Sequence, residues 1–186
     1  MVEGHGAGDG GVLRNARGYV SDFLGINYYS RDYIHFRLRP GSLFGDRVPD
    51  PSASKSDLGW EIYPEGLFRI AERMWHRFRL PIYITENGTA DAEDAFRSSY
   101  IASHLAGVAR AIEAGVDIRR YNHWSLLDNF EWAEGLTPRF GLYEVDYETQ
   151  ERRLRHSGRL FAEICRRRGA DADILERFGL TAAAVR

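Results

Sequence analysis

Glu86 stands out by its setting. It lies in Tyr83-Ile84-Thr85-Glu86-Asn87-Gly88, behind an apolar, β-branched run that begins at Pro81 and ahead of an Asn-Gly turn signal. Such a run reads as a buried parallel strand that delivers one carboxylate at its C-terminal end, where parallel barrels keep their chemistry. Some forty residues later, Trp124-Ser125-Leu126-Leu127-Asp128-Asn129-Phe130-Glu131-Trp132 repeats the arrangement, an apolar run closing in aromatic and acidic groups. Aromatic faces bind sugar rings, and carboxylates hold hydroxyls or attack an anomeric carbon. Two such strands facing one pocket point to carbohydrate chemistry.

The elements that must position these groups follow from periodicity. Phe23 to Tyr29 reads as a short apolar and aromatic strand. Residues 37–59, rich in Pro, Gly and Ser, read as a long irregular loop of the functional kind. A helix is predicted over 64–79, opened by Pro64 and carrying Leu67, Ile70, Ala71, Met74, Trp75 and Phe78 on one face. Then come a strand at 80–85, a helix at 92–114 that buries Ile112 among others and stops at Gly115, and a strand at 118–126. A turn-rich loop leads to a helix at 157–168 with Leu160, Phe161, Ile164 and Cys165 turned inward, ended by Gly169. The Gly-rich residues 1–18 read as a flexible lead-in, 19–169 as the folded domain and 170–186 as a tail that forms a short helix or frays. Alternating strands and helices imply an α/β fold with a parallel sheet.

Bulk properties narrow the classes. The chain has 186 residues and a net charge of −2 with both signs interspersed, which gives no reason to invoke nucleic acid. Arg166-Arg167-Arg168 falls at a helix end, where cations favour the dipole. The single thiol, Cys165, excludes a disulfide framework and reads as a buried, inert side chain. The six histidines lack metalloprotease spacing, and His123 reads as packed behind Trp124. No cofactor or metal is expected. With no signal-peptide pattern and no run of membrane-spanning length, the expectation is a cytoplasmic protein without a membrane partner.

Four blocks together resemble the C-terminal part of glycoside hydrolase family 1, the retaining β-glucosidases and β-galactosidases: DFLGINYY (22–29), GWEIYPEGL (59–67), YITENG (83–88) and HWSLLDNFEWAEGLTPRFGL (123–142). His123, Glu134-Gly135 and the stretch 139–142 are most similar to the archaeal-type members. The resemblance implies a (β/α)8 barrel of which residues 22–29, 82–86 and 118–126 are the sixth, seventh and eighth strands. It implies that Glu86 is the nucleophile and that Tyr29 hydrogen-bonds it, with Asn27 on the same wall. It makes Trp124 the platform under the sugar, Glu131 and Trp132 the holders of its outer hydroxyls, Phe140 the closing wall, and Trp60 the residue beside the leaving group.

The resemblance also implies a barrel incomplete in this chain. The Asn-Glu-Pro motif that carries the family's acid/base is absent from the sequence, and three strands of eight cannot close a barrel. A complementary N-terminal half-barrel chain, or self-association, is the expected partner besides the β-linked sugar. Two functions are compatible with these residues. One is the nucleophile-bearing portion of a retaining β-glycosidase acting on β-glucosides, with β-galactosides or β-fucosides as further substrates. The other is an inactive remnant with weak sugar affinity or a purely structural role. Trp60, Trp124 and Trp132 have core packing as their bland alternative, and Asp128 and Asn129 read as structural turn residues.

Overall fold

The computed structural model describes residues 18, 20–38, 41, 45–48 and 50–181, so nearly all of the Gly-rich lead-in lies outside the described residues. In chain order the elements are β1 (Leu24–Asn27), β2 (Ile34–Phe36), β3 (Gly45–Arg47), α1 (Pro64–Phe78), β4 (Ile82–Asn87), α2 (Arg97–Glu113), β5 (Ile118–His123), a 3₁₀ turn (Trp132–Glu134), β6 (Tyr143–Val145), β7 (Arg152–Leu154), α3 (His156–Arg167) and α4 (Ala172–Arg177). β1, β4 and β5 form a parallel sheet with β4 in the middle. Helices α1 and α2 are the two crossovers, so this part is a pair of consecutive βαβ units. Two antiparallel ribbons, β2–β3 and β6–β7, sit in the connections; the sequence announced neither, and β3 falls within the stretch 37–59 that read as irregular loop.

One face of the sheet is packed by the crossover helices. Ile26, Ile82 and Ile84 meet Leu67, Ala71, Val108 and Ala111 there. Ile82 and Ile84 alternate with half-buried Tyr83 and Thr85, as a strand with one dry face requires. The other face is open: Phe23, 46% exposed, stacks on Tyr83 at 4.4 Å, and the Arg120 guanidinium lies 5.5 Å from the same ring. A second core joins Ile101 of α2 to Leu142, Leu160, Ile164 and Ile174. α4 thus docks through Ile174, and the Asp171 carboxylate caps it by accepting from the Ile174 amide at 2.9 Å.

Several boundaries and faces differ from the sequence reading. α2 begins at Arg97 rather than at 92 because Asp91 gathers the amides of Ala95, Phe96 and Arg97 at 2.8–3.0 Å, closing a turn ahead of the helix. Fully buried Arg97 pairs with Asp94 and donates to the carbonyls of Asp91 and Arg139, and Asp94 in turn accepts from the Ser157 amide at the start of α3. β5 stops at His123, before the stretch 124–126 that the apolar run had added to it. Cys165 is exposed, not buried, and Ile112 is 50% exposed. Both lie at the margin of a helical stripe whose centre is buried, Ile164 in α3 and Val108 and Ala111 in α2.

Behind the sheet lie two histidines, His104 fully buried and His123 half-buried. His104 stacks on Tyr100 at 3.8 Å and its Nδ1 bonds the Tyr100 carbonyl at 2.8 Å. His123 packs on Phe161 at 5.6 Å with both ring nitrogens buried and unpartnered. Desolvation pushes His104 down to about 4 and, helped by the positive charge of Arg97, His123 down to about 3. Below about pH 6.5 the unfolded chain takes up protons that the folded one refuses, so stability is full above that pH and falls toward pH 4. The limiting slope is about 3 kcal/mol per pH unit for two such groups. Calorimetric melting between pH 7 and 4 is expected to show this decline, and the double variant His104→Phe, His123→Phe is expected to flatten it.

Candidate active site

The C-terminal ends of the three parallel strands are tied together by their own backbones. The Tyr28 amide donates to the Glu86 carbonyl at 2.9 Å, and the Trp124 amide donates to the Asn87 carbonyl at 2.9 Å. Gly88 makes the second tie sterically feasible: a Cβ there would stand 1.6 Å from the Trp124 carbonyl oxygen. The Trp124–Ser125 peptide that follows is cis.

Glu86 emerges at this seam, half-buried, at the penultimate position of β4. The Tyr29 hydroxyl donates to its Oε2 at 2.6 Å. Burial raises the Tyr29 phenol pKa, and the bond to Glu86 and the charges of Glu86 and Glu131 raise it further, so the phenol stays protonated as a donor. Tyr29 meets two aromatic edges, Trp60 at 5.7 Å and Phe140 at 6.2 Å, and Trp60 and Phe140 are 6.1 Å from each other. Phe140 is 2% exposed and its carbonyl accepts from the Ser125 amide, which fixes it against the β5 exit. Trp60 is set by a reciprocal pair with Ser56: its carbonyl accepts from the Ser56 amide at 2.9 Å, and its amide donates to the Ser56 hydroxyl at 3.2 Å.

Glu131 approaches from the loop after β5. Desolvation raises its pKa and the negative charge of Glu86 adds to that, while a hydrogen bond from the Trp124 indole acts in the opposite sense. Trp124, Glu131 and Glu86 therefore share one neighbourhood. Asn27 lies beside them on the open side of β1, its side-chain carbonyl accepting from the Thr85 hydroxyl at 2.6 Å, which leaves its amide as a donor. Trp132, the last of the expected set, is 81% exposed at the head of the 3₁₀ turn, so a core role is ruled out for it. Trp60 and Trp124 are half-buried.

The loop that carries Trp124 to Phe140 is pinned from beneath. Asp128, buried, accepts from the amides of Gly141 at 2.8 Å and Val145 at 3.2 Å and from both terminal nitrogens of Arg155 at 2.9 and 3.1 Å. Asn129 bonds Ser125 and Leu127. Their structural reading holds. Asn87 was read only as a turn signal, yet it is the last residue of β4 and fully buried; following polar Thr85 and Glu86, nothing in the sequence marked it as such. Among the described residues no group of three or more His, Cys, Asp and Glu side chains could hold a metal ion, and no helix is long and apolar enough to cross a membrane.

Replacing Gly88 by alanine tests the seam. The added methyl must displace the Trp124 carbonyl, and the expected loss is about 3 kcal/mol, read by urea denaturation, at the upper end of ordinary overpacking. Gly115→Ala serves as the control for losing a glycine, since its Cβ would meet open space although its φ is positive.

The model of glycosyl hydrolase family 1 matches residues 15–170. A β-galactosidase of Sulfolobus acidocaldarius is 39% identical over 184 residues, covering 94% of this chain and 37% of that protein. A β-glucosidase of Agrobacterium is 41% identical over 154 residues, covering 77% of this chain and 34% of that one. Among solved structures, a β-glycosidase from Pyrococcus horikoshii superposes with a TM-score of 0.80 at 41% identity, over 88% of this chain and 39% of that one. The chain therefore spans little more than a third of the length of these relatives. With the match running through all four motif blocks, the chain belongs to glycosyl hydrolase family 1.

Proposed function

We propose that this chain is the nucleophile-bearing portion of a retaining β-glycosidase acting on β-glucosides, with β-galactosides or β-fucosides as further substrates. The observation that carries the reading is the 2.6 Å hydrogen bond from Tyr29 to Glu86, at the end of a central parallel strand and beside the Trp60–Phe140 wall. A carboxylate that accepts a hydrogen bond from a permanently protonated phenol is held in one orientation. The β-galactosidase and β-glucosidase relatives support the substrate class.

In this reading β1, β4 and β5 are the sixth, seventh and eighth strands of a (β/α)8 barrel. Phe23, Tyr83 and Arg120 on the open face are lumen residues awaiting cover by the rest of the barrel, carried on a complementary N-terminal chain. The sugar rests on Trp124, its outer hydroxyls are gripped by Glu131 and Trp132, and Asn27 donates from the β1 side. Glu86 attacks the anomeric carbon as the bond to the leaving oxygen breaks. That oxygen takes its proton from a second carboxyl group, about 5–5.5 Å from the first in retaining enzymes. Water then attacks the anomeric carbon of the glycosyl-enzyme ester, giving its proton to the second carboxylate, now the base, so that the sugar leaves and both the Glu86 carboxylate and the acid are restored. The resemblance gives Glu131 the sugar-gripping position, so in this reading the acid belongs to the complementary part.

Co-refolding this chain with a chain that carries the first five strands of a relative is expected to restore turnover of an aryl β-glucoside. Glu86→Gln in the assembled pair is expected to lower kcat by about 10⁴-fold or more. A verified assembly without turnover, or one indifferent to that substitution, contradicts the proposal.

A further inference from the structure

Asn87 has a placement that neither the nucleophile nor the sugar platform accounts for. It is 0% exposed, yet it is polar and sits in the central strand. Its Nδ2 donates to the Tyr28 carbonyl at 2.7 Å and to the Tyr100 hydroxyl at 2.9 Å, and its Oδ1 accepts from the Tyr121 hydroxyl at 2.7 Å. Its backbone carbonyl separately holds the Trp124 amide. One side chain thus bridges the end of β1, the first turn of α2 and β5. The residues it joins are the immediate neighbours of the reacting pair: Tyr28 precedes Tyr29, and Asn87 follows Glu86. The Tyr28 amide already bonds the Glu86 carbonyl, so the peptide units flanking Tyr29 and Glu86 are fastened at two points.

We propose that Asn87 is a positioning residue that sets the Tyr29 hydroxyl against the Glu86 carboxylate by clamping the Tyr28 carbonyl to the end of β4. This deepens the glycosidase reading and rests on it for its catalytic consequence, but the clamp itself is a property of the chain alone. The Tyr121 and Tyr100 hydroxyls orient the amide so that its donors face Tyr28 and Tyr100. Truncating the side chain leaves the carbonyl hold on Trp124 intact, so the sugar platform stays while the nucleophile's partner drifts.

The test uses the isolated chain first. The Tyr29 hydroxyl proton, bonded at 2.6 Å, is expected as a slowly exchanging downfield signal, assigned by its loss in Tyr29→Phe. In Asn87→Ala its exchange is expected to be at least about tenfold faster, as a misplaced donor opens to water. Leu160→Ala, in the second core, controls for lost stability: with an equal fall in Tm it is expected to leave that exchange unchanged. If Asn87→Ala does not fold, Tyr121→Phe removes only one hydroxyl of the clamp and is expected to move the exchange in the same direction by a smaller factor. In the assembled enzyme Asn87→Ala is expected to lower kcat about 100-fold, with KM changed less than about threefold. Unchanged Tyr29 exchange in both clamp variants overturns the proposal, as does a change no larger than in Leu160→Ala. Altered exchange in an assembly that never turns over substrate keeps the clamp and removes the glycosidase reading instead.

Discussion

Two backbone hydrogen bonds, from the Tyr28 amide to the Glu86 carbonyl and from the Trp124 amide to the Asn87 carbonyl, decide where the strand-borne groups at the candidate site stand. They lock the exits of three parallel strands into one line. Strict alternation along β4 would put Glu86 on the same face as Ile82 and Ile84. The register shifts between Ile26 and Asn27 and between Ile84 and Asn87 break that alternation, so Asn87 is buried while Glu86 reaches the rim beside Tyr29. The absence of a side chain at Gly88 is what lets the seam close.

Around the seam the structure uses buried polar hubs rather than more apolar packing. Asn87 gathers a carbonyl and two tyrosine hydroxyls, and Asp128 gathers two amides and a guanidinium. Asp91 and Asp94 organise the start of α2 and the start of α3 around the buried Arg97. Each hub is expensive to bury and strongly destabilised if one partner is lost, which makes it a geometric constraint more than a source of stability. The hubs fix the loops after β4 and β5, where irregular backbone would otherwise be free to rearrange. The loops can then present Trp124, Glu131 and Phe140 at defined positions relative to a strand-borne carboxylate.

The sequence made some of this legible and hid the rest for physical reasons. β4 and α1 were readable because one signal dominated each: an apolar β-branched run in the first, and a proline-opened apolar stripe in the second. The start of α2 was not, because the Asp91 carboxylate and the Arg97 side chain, distant contacts included, determine it rather than helical periodicity. β5 was drawn three residues too long because Trp124, Ser125 and Leu126 continue its apolar character while the backbone leaves the sheet. Cys165 and Ile112 were misplaced because an apolar stripe has margins, and spacing alone does not say which edge a neighbour covers. Among the site residues, Tyr29 and Glu86 meet as the motif resemblance implied, whereas the bridging role of Asn87 needed coordinates: its partners Tyr28, Tyr100 and Tyr121 are scattered along the chain.

The account rests on Glu86 as the atom that bonds to sugar. The most direct measurement is peptide mapping by mass spectrometry after the assembled enzyme has been incubated with a 2-deoxy-2-fluoro-β-glucosyl fluoride, whose glycosyl-enzyme ester hydrolyses slowly. The account predicts one fluoroglucosyl group, attached to the peptide that contains Glu86. An adduct on a different carboxylate, or an assembly that turns over substrate yet never carries the label, would contradict it.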